Sequence, residues 1–253
     1  RDRLNLRQSI SIVMGANIGT TVTAQIIRLM DINSSGAAFI EIFKPSTLAP
    51  LAVLCGIIFL KFVKSQKTKG IGMMLMGFGI LFTGLMGMTE AVSPLSESQA
   101  FTDVLQKFSD VPILGILTGL ITTFIVQSSS AVIGMVQALS STGAFTFQTV
   151  YPLIIGINLG TCITTAIVCS IGTDKDAKRT GIAHILFNCI GTVLFMAAIP
   201  LLHHAGALNF IWGKPMNSGG IANFTTIFNL VTAVALLPFT NQLVKLTTLI
   251  VKD

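Results

Sequence analysis

Between Asp110 and Asp174 the chain runs for 63 residues without an Asp, Glu, Lys or Arg. A soluble domain cannot leave that much surface uncharged, because about a quarter of its residues ordinarily carry charge. Over the whole chain the charged share is 10%, against 52% hydrophobic. Apolar stretches of about 20 residues recur, the length a helix needs to cross the hydrocarbon core. Inside lipid only helices and closed barrels satisfy their own backbone. The sequence therefore predicts an all-α polytopic membrane protein.

Seven apolar segments are predicted, at 8–28, 37–60, 70–91, 111–141, 149–172, 180–202 and 220–244, within a single transmembrane domain over 1–253. Polar or glycine-bearing connections separate them. Orienting the chain by its basic loops puts 12 of the 16 Lys and Arg residues on the cytoplasmic side, leaving Arg28, Lys44, Lys107 and Lys214 outside. Crossing parity then closes if 111–141 enters and leaves on the outer side as a re-entrant hairpin with Gln127-Ser128-Ser129-Ser130 near its tip. A hairpin that spans fully satisfies the same charge count. The basic residues gather at helix ends and form no single face, so the net charge of +6 does not signal nucleic acid; the lipid bilayer is the expected surroundings. Cys55, Cys162, Cys169 and Cys189 all fall in apolar segments and are expected as free thiols.

A repeat lies on top of this pattern. GANIGTTVTA (15–24) matches GINLGTCITT (156–165), and each copy is followed by a polar loop and another apolar helix. By the charge orientation the two copies run in opposite directions, the signature of an inverted-repeat secondary transporter working by alternating access. The halves are read as 1–62, the end of a first repeat, then a connecting helix and outer loop at 63–110, and a second repeat at 111–253. The first copy has no QSSS hairpin. Arg1 stands where an initiator Met would, so the natural chain is expected to begin upstream, with the missing hairpin just before Arg1.

The polar motifs suggest chemistry. Gly15, Gly19, Gly156 and Gly160 are expected to let two broken helices unwind and approach a ligand. Asn17 and Asn158 then supply amide oxygens, and Thr20, Thr21, Thr161, Thr164 and Thr165 supply hydroxyls, an oxygen shell suited to a hard monovalent cation. Ser128, Ser129 and Ser130 open the second half of the hairpin, where N–H groups and the helix dipole favour an anion, and Gln127 adds an NH2. With no Arg or Lys to compensate it, an anion there needs co-bound cations. The plainer alternative is interhelical glue. A lone serine is read that way; four adjacent polar residues beside a repeated G-x-N-x-G-T motif are read as a site. His184 is expected to bond a neighbouring helix rather than relay protons. Gln8 and Gln137 stay ambiguous. No hydrolase, Walker or transition-metal motif occurs, so there is no positive case for an enzyme.

FIVQSSSAVIG, GANIGTTVTA, GINLGTCITT and IANFTTIFNLVTAVALLPFTNQLVKL (221–246) together resemble the bacterial branch of the type II sodium–phosphate cotransporter family. The resemblance implies two inverted repeats, each with a QSSS hairpin and an unwound helix, inward symport of phosphate driven by Na+, no further cofactor, and a multi-pass protein of the bacterial inner membrane. It implies phosphate contacts from Gln127, Ser128, Ser129 and Ser130. The sodium and substrate sites would draw on Asn17, Thr20, Thr21, Asn158, Thr161, Thr164 and Thr165. Cys162 departs from the pattern, standing where the first copy has Thr21, and a thiol is a poor sodium ligand. Segments 70–91 and 37–60 are candidates for a scaffold or a homodimer contact. The rival readings are a carrier of another anion (dicarboxylate or sulfate), a phosphate exporter, and a non-transporting scaffold or sensor subunit.

Overall fold

The computed structural model describes residues 5–28, 44–92, 111–140, 145–171 and 174–252, with single positions at 94, 98, 100, 103 and 143. Residues 37–43, Glu41 among them, and most of the loop 93–110 lie outside them. The described helices are α1 (Leu6–Ile27), α2 (Pro45–Phe62), α3 (Gln66–Val92), α4 (Pro112–Val126), α5 (Ser129–Leu139), α6 (Phe147–Ser170), α7 (Lys175–His204), α8 (Ser218–Leu236) and α9 (Thr240–Ile250). A 3-10 turn, Leu237–Phe239, joins the last two. There is no strand among the described residues, only an isolated bridge between Thr146 and Pro215. Among the described residues, four helical stretches are long and apolar enough to cross a membrane: α1, α6, α7, and α8 continued through α9.

Polar residues set the helix starts. Asn5 and Gln8 form a capping box that opens α1, which gives Gln8 its role. Asp174 and Asn217 cap α7 and α8. Ser128 caps α5 by accepting the Ala131 N–H.

The neighbours of each helix fix its direction. Thr165 meets His184, and Gly181 lies against Cys169, so α6 and α7 are antiparallel. Phe195 packs on Phe224 and Phe228 while Gly191 lies against Thr232, so α7 and α8 are antiparallel. Arg28 reaches Asn223 and lies beside Gly219, while Ile10 shares a core cluster with Leu243. Hence α8 and α1 are antiparallel too. Three reversals leave α1 and α6, the carriers of the two glycine-asparagine-threonine copies, pointing in opposite directions.

α4 takes a different course. Gly115 lies against Pro152, Gly119 against Ile157, and Thr123 against Gly160, so α4 runs parallel to α6 in near-backbone contact. The chain reverses at Gln127, whose φ of 58° is left-handed. α5 then returns toward the end where α4 began. Gln137, near the end of α5, donates Nε2 to Ala24 O, Ser218 O and Ser218 Oγ at 3.0–3.1 Å. At 15 and 11 residues, the two arms extend about 22 and 16 Å, short of the roughly 30 Å hydrocarbon core. The hairpin is therefore re-entrant rather than spanning. Its return arm hangs on Gln137, so Gln137→Leu is expected to lower stability by about 2 kcal/mol. The unfolding midpoint of detergent-solubilised protein reads this directly.

α2 and α3 form a separate antiparallel pair in which Gly56 touches Gly72 and Met76, and Gly79 touches Val53. They join the rest through Phe82 and Phe78, which pack with Ala49, Ile27 and Ala131.

One expectation needs correction. α1 and α6 run as unbroken helix through Gly15, Gly19, Gly156 and Gly160, so the unwinding predicted there is not found. Physically, the polar side chains satisfy carbonyls of their own helix without opening it, and two of the glycines serve packing. A Cβ on Gly156 would run into the Ile116 carbonyl, and one on Gly160 would lie 2.5 Å from Thr123 Cβ. The break is at Gln127-Ser128 instead.

Candidate functional site

In both copies of the repeated motif the asparagine turns its amide back on its own helix. Asn17 donates Nδ2 to Val13 O (3.0 Å), and Asn158 donates Nδ2 to Ile154 O (2.9 Å). Thr20 and Thr161 each donate to the carbonyl of that asparagine, both at 2.7 Å. With those hydrogens committed, asparagine Oδ1 and threonine Oγ1 present lone pairs outward. The same bonding in both copies therefore yields two acceptor-rich helix faces.

Those faces meet. Asn17, Thr20, Ser129, Asn158, Thr161 and Thr165 line one cavity of about 350 Å3, completed by Val13, Ala16, Thr180, Gly181 and His184. No lining residue carries a formal charge. Arg179, next to Thr180, is turned away: Nε and Nη2 donate to Val251 O and Nη1 to Asp176. His184 Nδ1 lies 3.0 Å from Thr165 Oγ1, the interhelical bond anticipated for it.

The tip of the hairpin approaches the same place. Ser129, the first residue of α5, is buried at 8% exposure and faces this cavity. Ser128 and Ser130 open instead on a neighbouring cavity of about 530 Å3, which they share with Thr23 of α1 and Ile80, Leu81 and Gly84 of α3. The serine run thus straddles two adjoining spaces, with the N-terminal N–H groups of α5 between them.

The profile of a family described as "Na+/Pi-cotransporter" matches residues 1–90 and again 86–237. The chain belongs to this family. Among its relatives, "Uncharacterized protein YqeW" of Bacillus subtilis is 29% identical over 98% of the chain and 74% of its own length. "Putative inorganic phosphate export protein YjbB" of Escherichia coli K12 is 24% identical over the whole chain but only 43% of its own length. The rat "Sodium-dependent phosphate transport protein 2A" is 24% identical over 72% of the chain and 30% of its own length. The chain thus spans less than half of the second and third relatives. No solved structure matches it. Membership of a cotransporter family makes the chain a membrane transport protein and not an enzyme.

For this Na+/Pi-cotransporter family member the cavity sorts the residues singled out from sequence. Thr21 is buried at 4% and donates to Ile18 O (2.6 Å) outside the cavity wall. Its counterpart Cys162 only approaches Asn158 O, at 3.9 Å. Thr164 faces a separate pocket with Thr165, Cys169 and Gly181. Gln127 is exposed at the left-handed turn and lines neither cavity. Gly15 and Gly19 meet no atom where a Cβ would stand. Sequence reasoning missed Thr180 and Thr23. Thr180 is a lone threonine outside the repeated motif, while Thr23 stands inside it, matching Thr164 of the second copy, and only the packing of α7 and α1 reveals their places.

Proposed function

We propose that the protein is a sodium-coupled symporter of inorganic phosphate in a bacterial cell membrane, moving cargo inward by alternating access. The observation that carries this reading is the uncharged cavity in which the Asn17 and Asn158 faces, from two oppositely directed helices, meet Ser129. Acceptor oxygens suit Na+. The start of α5 and the Ser129 hydroxyl suit an oxyanion. Electrostatics tie the two together, because taking an anion into a neutral, partly dry site costs several kcal/mol. A cation about 4 Å away returns about 4 kcal/mol at an effective dielectric of 20. Phosphate bound without Na+ would have no such compensation. The family profile matching the chain twice in succession, and the opposite directions of α1 and α6, support two inverted repeats with the cavity between them.

Uptake of radiolabelled phosphate into proteoliposomes is expected to rise with an inward sodium gradient and to fall to background when choline replaces Na+. Uptake indifferent to sodium would overturn the coupling. The name of YjbB favours a second direction, export. Efflux from phosphate-loaded vesicles with Na+ on either side separates it from uptake. Sulfate, a tetrahedral oxyanion, should compete in the same assay more effectively than a dicarboxylate.

A further inference from the structure

Among the residues that line the cavity, His184 alone has a titratable side chain, and only one of its ring nitrogens is engaged. Nδ1 lies 3.0 Å from Thr165 Oγ1. Nε2 makes no hydrogen bond among the described residues, yet it is not one of their buried atoms left without a partner. It is therefore open to whatever fills the space that His184 shares with Thr180 and Gly181, one turn earlier on the same face of α7.

A chain of hydrogen bonds sets which nitrogen holds the proton. Thr161 donates to Asn158 O at 2.7 Å, and Thr164 and Thr165 donate to Thr161 O at 2.9 and 3.1 Å. Such back-bonds commit threonine hydrogens to helix carbonyls. With its hydrogen committed, Thr165 Oγ1 accepts from His184. Nδ1 then carries the hydrogen, and Nε2 of the neutral ring is a bare acceptor. No carboxylate lines the cavity to hold the ring as imidazolium. On α5, the Ser129 hydroxyl and the helix start supply donors to the same space.

Donors on one helix and an acceptor on another suit an oxyanion that still carries a hydrogen. Inorganic phosphate stays partly protonated near neutral pH, whereas sulfate, of the same tetrahedral shape, is fully ionised. We infer that His184 is a specificity-determining residue: Nε2 accepts the acidic hydrogen of phosphate and turns sulfate away by setting lone pair against lone pair. A site built to bond a substrate hydrogen rejects the analogue that lacks it, because its own polar group is left unpaired. Nε2 is ill suited to the coupling ion, since imidazole nitrogen favours transition metals and hard ions favour oxygen. The inference rests on the phosphate reading above and adds to it the choice between two oxyanions.

The test sets radiolabelled phosphate uptake into proteoliposomes against competing sulfate and arsenate, which keeps its hydrogens as phosphate does. In the unaltered chain sulfate should compete about 10- to 100-fold less well than arsenate, though still ahead of a dicarboxylate. His184→Asn places an amide where Nδ1 stood and nothing where Nε2 stood. The margin against sulfate should close to within a few-fold, mainly through a higher KM for phosphate, with the melting temperature unchanged. His184→Gln, whose amide reaches the place of Nε2, should restore part of the margin. Should neither variant fold or carry phosphate, nitrogen NMR of the histidine-labelled chain decides, with His203→Asn and His204→Asn removing the other histidine signals. The expected ring is protonated at Nδ1, and its Nε2 signal moves with phosphate but not with sulfate. A ring protonated at Nε2, an equal response to both anions, or an unchanged margin in His184→Asn overturns the assignment. The two proposals fail separately. Uptake indifferent to sodium, with the margin lost in His184→Asn, removes the coupling and leaves His184 in its role; sodium-driven uptake with the margin intact removes His184 alone.

Discussion

Gly156→Val is expected to abolish the folded protein. A Cβ at this position runs into the carbonyl of Ile116, and at Gly119 the facing backbone of Leu153 is equally close. The clash is with main chain on both sides, so no rotamer change relieves it; α4 and α6 must separate. Overpacking a well-filled core costs typically 1–3 kcal/mol when side chains can shift, and here about 3 kcal/mol is a lower figure. Membrane helices depend on such close approach because lipid gives them no hydrophobic drive to associate. Yield of monodisperse protein and the unfolding midpoint in detergent measure the effect. An unaltered midpoint for Gly156→Val would show that the helices are not in contact there.

Ser129→Ala is expected to give the second large effect, on transport rather than on folding. Hydrogen bonds to charged groups contribute about 1.5–3 kcal/mol, so removing the serine hydroxyl should cut phosphate uptake by about 10- to 100-fold at low phosphate. The melting temperature should hardly move, because the change is small and no core volume is lost. Raising phosphate should restore part of the rate, since the deficit lies in anion affinity. Near-normal uptake at low phosphate would remove Ser129 from the site. A loss of folded protein in proportion to the loss of uptake would return it to the role of interhelical glue.

Much of the architecture is visible in the residues alone, for identifiable reasons. Uncharged runs of membrane length force helices, and the four polar residues at 127–130 mark the reversal because a left-handed turn and a serine cap suit that composition. The Asn17 and Asn158 copies are readable as a matched pair because both carry the same residues at the same spacing, and the shared side-chain bonds to Val13 and Ile154 follow from it. The glycines mislead. G-x-x-x-G permits unwinding and close packing equally, and only a neighbour such as Ile116 decides between them. Asn188, Asn229 and Thr232 stay hidden for another reason. They are isolated polar residues in apolar helices, and their complete burial depends on helix packing that local sequence does not encode.

The near-backbone contact between α4 and α6 also limits what can move. Neighbouring helices slide past one another when a layer of side chains lies between them to re-mesh. Here Gly119 and Gly156 leave no such layer, so the outward arm of the hairpin and its long partner must travel as one rigid body. Any rearrangement that exposes the cargo to alternate sides has to take place at other seams, such as that between α5 and α3.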